Sequence, residues 1–386
     1  MAKSSYFRRP KYAEAIKNAL LNPGPLDAGI QSGLFLSGIR RVGKTTFIKQ
    51  DLIPAIEADG AIAIYVDLWA DRAKSNTDLV TETVKAVAYQ LATPGSGILG
   101  RLKGVNLGAA GLSFGFQIDS VGTKNGATLG QVFQEITDLA HTDVVLIIDE
   151  VQQAMATDEG NNLLHALKAG RDQVNLNPHR SGRLLIVGTG SHKSLVADMT
   201  SRRTKPFAGA TYQDYAPLGD DFVEWVHQAM TAAPGYKIPD LAVLQEGFRI
   251  MGNRPEELLQ AVNVLQAHEH DPNVVFPIIC STKATTAGNT EIANMEDLGE
   301  LALVIFDKIA SGSPNGVKNL YSADALAEYS KVIGSPVDSG QVQSMTKRMV
   351  ELNFIQRLGH GTFIPADPLV SKAWLANKAL QAMPNP

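Results

Sequence analysis

The segment Gly38–Thr46 reads GIRRVGKTT and fits the spacing G-x-x-x-x-G-K-[ST]. It constrains the fold more than any other stretch, because such a loop holds phosphate only between a strand and a helix. Both flanks are legible: Leu34-Phe35-Leu36 is a short apolar run, and Thr46–Ile53 carries a helical pattern. Gly38 and Gly43 provide the backbone freedom that turns successive N–H groups onto phosphate oxygens. The N-terminus of the following helix adds partial positive charge. Lys44 is placed to reach the β- and γ-phosphates, and the Thr45 hydroxyl to coordinate Mg²⁺. The nucleotide-binding set expected from this loop is Gly38, Arg41, Val42, Gly43, Lys44, Thr45 and Thr46. Arg41, like its neighbour Arg40, stands either on phosphate or in solvent.

Three further apolar runs read as buried strands: Ala61–Val66, Val144–Ile148 and Leu184–Val187. Alternation of such runs with helical segments predicts an α/β fold, a parallel sheet with helical crossovers. The Val144–Ile148 run ends in Asp149-Glu150, delivering two carboxylates to the strand edge where open α/β sheets bind ligands. Asp149 is the second expected Mg²⁺ ligand beside Thr45, and Glu150 the group that orients and polarises an attacking water. ATP and Mg²⁺ are the cofactors these two elements imply.

The chain has 386 residues, enough for two or three domains at roughly 100–200 residues each. With 44% apolar residues it is expected to bury cores rather than remain disordered. The net charge of −4 means that any nucleic-acid contact must come from a local basic surface. Cys280 is the only cysteine, which excludes an internal disulfide and a cysteine zinc cage. No apolar run nears the ~18 residues that span a bilayer. The opening MAKSSYFRRPKY lacks the apolar core of a secretory signal, so a cytoplasmic protein without membrane contact is expected. Ten of the 34 glycines fall between Gly95 and Gly130. Within that cluster Leu112, Phe114, Phe116 and Ile118 alternate with small or polar residues, which predicts one strand of an inserted β-hairpin, with Val105 and Leu107 in its partner. The hairpin is either a surface embellishment or a contact element for DNA, substrate or a second subunit. The polar stretch Cys280–Asn294 reads as a turn-rich joint between domains. Beyond it, helical patterns near 297–310, 322–332 and 339–353 precede strand-like Phe354–Leu358 and Gly361–Pro365, the order of a winged helix.

With loop and carboxylate-bearing strand placed, the chain resembles ATPases of the AAA+ superfamily. More narrowly, it resembles the archaeal-type ATPases related to STAND signalling ATPases and origin-recognition initiators. YFRRPKYAEAI is similar to the box that leads into the adenine pocket, and IIDEVQQ to the family's DE-hydrophobic-Gln sequence. LLIVGTGSHKSL resembles the sensor-1 strand, MGNRPEELLQAV the sensor-2 helix of the lid, and FIPADPLVSKAW the D-P-L ending of the winged helix. The resemblance implies that Ser191 and Thr189 sense the γ-phosphate and help orient water. Arg254, on the lid, would contact the β- and γ-phosphates; without the resemblance it reads as a solvent-exposed arginine at a helix start. The catalytic set is then Glu150, Lys44, Ser191, Thr189 and Arg254. Relatives carry an arginine finger where KPFAGA places Ala210, so Arg202 or Arg203 would have to substitute. The implied domains are a P-loop ATPase core over 1–216, with the hairpin at about 97–128, a helical lid over 217–285, and a winged-helix domain over 295–386.

His268 and His270 lack a third ligand, and Cys280 lacks a basic neighbour, so neither marks a metal or nucleophile site. Residues 300–386 hold eight Lys or Arg against seven Asp or Glu, a weak surplus for a phosphate reader. The third helix of that segment nevertheless offers Gln341, Gln343, Ser344, Lys347 and Arg348, side chains able to read bases. Two functions follow: an ATP-driven switch acting on DNA through the winged helix, or a STAND-like signalling or defence ATPase whose C-terminal domain docks a protein. Nucleotide-dependent self-assembly is expected of either.

Overall fold

The apolar runs become strands of one parallel sheet. A computed structural model describes residues 6–94, 112–312, 314–359 and 361–381. The strands are β1 (Leu34–Ser37), β2 (Ile62–Asp67), β3 (Val144–Asp149) and β4 (Leu184–Gly190). A fifth, β5 (Thr211–Asp214), completes the order β2-β3-β4-β1-β5, with every pair parallel. β1, β3 and β4 are buried along their whole length, which is why they read as unbroken apolar runs. β5 reads TYQD and escaped the sequence analysis. It is an edge strand paired to β1 through its backbone, with Tyr212 half-buried against the core and its last two residues exposed, so it carries no apolar run.

The chain divides into two compact units. One comprises Met1–Gly38 and Lys44–Ala216, the other Ile39–Gly43 and Pro217–Pro386. In the first, helices Asn76–Ala92, Leu129–Ala140 and Asp158–Leu176 supply apolar faces to a core that includes Phe35, Ile64, Val84, Phe133, Leu146 and Leu164. Thr128 and Gln131 form a capping box at the start of the second of these helices. The helix expected after the phosphate loop runs through Lys44–Phe47, a π-turn at Ile48–Leu52, and Ile53–Ala58.

Two expectations are corrected. Of the hairpin expected at about 97–128, residues 97–111 lie outside the described residues, Val105 and Leu107 among them, and 112–128 contain no strand. Leu112 is buried, and Phe114 and Phe116 are half-buried against the core. Leu112 N–H donates to the Leu91 carbonyl at 2.8 Å, and the Gly115 N–H donates to Glu135 on a neighbouring helix. Alternation there reports an extended segment with one side buried on helices, not a ladder. The Cys280–Asn294 stretch is no joint; it lies inside one helix, Pro272–Glu296. Gly288, inside that stretch, serves close packing. A Cβ there would lie 2.4 Å from the Ala373 Cβ and 2.9 Å from the Leu369 carbonyl oxygen.

The second unit begins with helices Asp220–Thr231, Leu241–Ile250 and Pro255–Gln266. After the long helix come Glu300–Ala310, Ala323–Ile333 and Ser339–Glu351, then the antiparallel pair β6 (Ile355–Gly359) and β7 (Thr362–Pro365), and finally helix Pro368–Gln381. Phe306, Tyr329, Ile355 and Phe363 centre its core. Among the described residues no helix is long and apolar enough to cross a membrane.

Candidate active site

Strand order decides what meets at the C-terminal edge of the sheet. β1 and β4 are neighbours, with Ser37 opposite Gly190, and β3 lies beside β4. Gly38 N–H donates to the Gly190 carbonyl at 3.1 Å, and Lys44 Nζ donates to the Gly38 carbonyl at 2.6 Å. Gly43 has φ +89°, which a glycine takes at little cost. Val42 and Lys44 are buried, while Thr45 and Thr46 are exposed at the start of the helix.

Asp149 is 1% exposed, yet four donors hold its carboxylate. Thr45 Oγ1 donates to Oδ2 at 2.7 Å and the Tyr65 hydroxyl to the same oxygen at 2.9 Å. Thr189 Oγ1 and, at 3.2 Å, the Glu150 N–H donate to Oδ1. Burial, reinforced by the Asp149 charge, pushes the Tyr65 phenol well above its ordinary pKa, so it remains a donor. Lys49 Nζ lies 4.6 Å from the centre of its ring. Burial also raises the Asp67 carboxyl, against the hydrogen bond from Trp69 N–H and with the Asp149 charge adding to the shift. Tyr65 was missed by the sequence analysis. Its signal lay in β2, where it stands two residues before Asp67, the residue in register with Asp149.

Glu150 adopts φ +55°, a left-handed conformation that costs a non-glycine residue on the order of 1 kcal/mol. Its Oε2 accepts from Ser191 Oγ at 2.8 Å, from Ser191 N–H at 3.4 Å, and from Gln152 Nε2. Gln152 Nε2 also reaches Ser191 Oγ at 3.3 Å. A Cβ on Gly190 would lie 2.3 Å from Gln152 Oε1, so the bare strand end makes room for this amide. Gln152, quoted within IIDEVQQ but given no role there, thus ties the carboxylate to the end of β4.

The structure therefore gathers Gly38, Lys44, Thr45, Asp149, Glu150, Thr189 and Ser191 at one sheet edge. Two hard oxygen donors already in contact, Thr45 and Asp149, fit a Mg²⁺ that takes few protein ligands and completes its shell with water and phosphate. In the N-terminal box Arg9 lies 4.5 Å from the Tyr12 ring centre and 5.2 Å from that of Tyr215, and Arg8 Nε donates to buried Asp51 at 2.5 Å. Arg41 and Arg254 belong to the second unit. Arg41 (φ +65°) donates through Nη1 to Glu257 at 2.9 Å. Arg254 is buried at the start of helix Pro255–Gln266, with its guanidinium on Asp367. Arg203 is exposed, and Arg202 is ion-paired with Asp198.

Residues 25–231 match the family described as an ATPase domain predominantly from Archaea. No curated protein sequence matches the chain. Among solved structures, the ORC2 protein of Aeropyrum pernix in its ADPNP-ADP complexes aligns over 97% of this chain and 98% of its own, with TM-score 0.56 and 13% identity. Its ADP form aligns over 98% and 97%, with TM-score 0.57 and 12% identity. At such identity the likeness concerns the fold alone: a parallel α/β sheet followed by a largely helical C-terminal region.

Proposed function

The chain belongs to the ATPase family whose members come predominantly from Archaea, and we propose that it binds Mg-ATP at the Lys44–Asp149–Glu150 edge and hydrolyses it as a nucleotide-driven switch. The observation that carries this reading is the meeting of Lys44, the Thr45–Asp149 pair and the Glu150–Ser191 pair where β1, β3 and β4 end. Lys44 and the loop N–H groups hold the triphosphate and neutralise its charge. Mg²⁺, held by Thr45 and Asp149, would supply charge neutralisation between the β- and γ-phosphates when bound. Glu150 orients a water and draws on its proton, while Ser191 and Gln152 fix its carboxylate oxygen. Thr189 and Tyr65 hold Asp149 in one rotamer. Arg254 joins when its guanidinium is released to phosphate. Such a site turns over slowly until a partner completes it; Arg202 or Arg203 of a second copy is the candidate finger, worth about 10³–10⁵ in rate.

Within the second unit, residues 217–285 act as the lid and 295–386 as a winged helix that contacts DNA. Gln341, Gln343, Ser344, Lys347 and Arg348 are all exposed on helix Ser339–Glu351, with Arg357 exposed on β6, which supports this assignment. The STAND-like alternative, a protein partner, draws on exposed Leu352 and Leu358 beside that face. A cytoplasmic location accompanies both. The test is ATPase rate with and without duplex DNA, paired with particle mass with and without ATP. Stimulation by duplex that fades with salt supports DNA; no stimulation and no salt-sensitive duplex binding favours the protein partner.

A further inference from the structure

The active site leaves one motif unused, the segment FIPADPL near the C-terminus. In the second unit it interlocks with the segment MGNRP. Gly252 and Asn253, at φ +71° and +54°, turn the chain into Arg254, and the Leu369 side chain covers Gly252, 3.4 Å from where its Cβ would stand. Arg254 is 6% exposed and its Nη2 donates to Asp367 Oδ2. Its Nε is buried with no hydrogen-bond partner among the described residues. Asp367 also caps helix Pro368–Gln381, its Oδ1 accepting from Leu369 N–H at 2.9 Å. The ion pair forms part of the wall of a cavity of about 420 Å³, shared with Arg41, Glu257 and Lys283, so a competing anion has a route to it.

A buried arginine with one donor unsatisfied is held by a single carboxylate oxygen, an arrangement that a phosphate with more acceptors can outbid. A phosphate that takes Nη2 takes it from Asp367, so the two anions compete for the orientation and charge of one guanidinium. We propose that Asp367 is a regulatory counter-ion that occupies Arg254 in the absence of nucleoside triphosphate and is displaced by its phosphate. The proposal rests on the nucleotide-site reading above and adds its regulation. By linkage, whatever Asp367 takes from phosphate affinity, phosphate takes from the Asp367 contact. Nucleotide occupancy thereby reaches helix Pro368–Gln381 through the residue that caps it.

The test is a binding isotherm of the full-length chain for a fluorescent non-hydrolysable ATP analogue with Mg²⁺. Asp367→Asn keeps a capping oxygen and removes the charge. It should tighten binding about fivefold, at the low end of known couplings, with a smaller effect on the matching ADP probe. In an Arg254→Gln background the same substitution should change nothing. Equal tightening in both backgrounds would mean a general loosening of the fold and overturn the counter-ion role. Unchanged affinity in Asp367→Asn, with wild type binding normally, would also overturn it. Failure of the wild-type chain to bind the analogue would refute the nucleotide-site reading, and the proposal with it.

Discussion

Replacing Tyr65 with Phe removes one hydroxyl and leaves the ring under Lys49 unchanged. That hydroxyl is one of two donors to Asp149 Oδ2, at 2.9 Å, the other being Thr45 Oγ1 at 2.7 Å. If Thr45 turns to the metal when nucleotide binds, Tyr65 becomes the remaining donor to that oxygen. A hydrogen bond to a charged group contributes about 1.5–3 kcal/mol. The lower figure corresponds to roughly tenfold in an equilibrium constant, which agrees with the ~10–100-fold lost when a group behind a metal ligand is removed. Tyr65→Phe should therefore raise the Mg²⁺ concentration that half-saturates binding of a fluorescent ATP analogue about tenfold. Affinity for the metal-free nucleotide should change little. The phenol's pKa is raised in the fold, so the donor is fully present below the ordinary value near 10 and is lost only as pH climbs through the raised value. The difference between wild type and variant should accordingly stay constant from about pH 6 to 9. An unchanged Mg²⁺ midpoint in a folded variant would refute the role given to Tyr65.

Gly190→Ala should push Gln152 off Glu150, because its Cβ would meet Gln152 Oε1 at 2.3 Å; steady-state kinetics should show kcat down about tenfold with ATP affinity kept. Gly288→Val should force helices Pro272–Glu296 and Pro368–Gln381 apart and cost about 1–3 kcal/mol, read as a lower denaturation midpoint. Burial opposes ionisation of Asp307, but hydrogen bonds from Lys378 and Trp374 outweigh it and hold the carboxyl below its usual range. That stabilisation is present above the unfolded carboxylate pKa and disappears as pH falls through the lower folded value. Asp307→Asn should therefore melt about 2–4 °C lower at pH 7 and converge with wild type in acid.

Sequence reading succeeded where chemistry left little choice. A phosphate-binding loop requires its two glycines and its lysine at fixed spacing, and buried parallel strands require unbroken apolar runs, so β1, β3 and β4 with Asp149-Glu150 were legible. Where the requirement was tertiary, the pattern misled. Cys280–Asn294 looked like a joint because the helix that its Gly288 admits lies some eighty residues along the chain. Leu112–Ile118 alternates as a strand does, yet its partners are helices. Tyr65 looked like one more strand residue, since nothing local shows that β2 pairs with β3 and lays its hydroxyl on Asp149. Arg254 and Asp367 each belonged to a quoted motif, but only folding discloses that they meet.

In the proposed function one edge of the sheet both binds and hydrolyses ATP, with Lys44 holding phosphate and Glu150 preparing water. Filter-bound nucleotide and released phosphate, measured side by side for wild type, Lys44→Ala and Glu150→Gln, test it directly. Lys44→Ala should retain no ATP, and Glu150→Gln should retain ATP without releasing phosphate. Undiminished hydrolysis in both variants would contradict it.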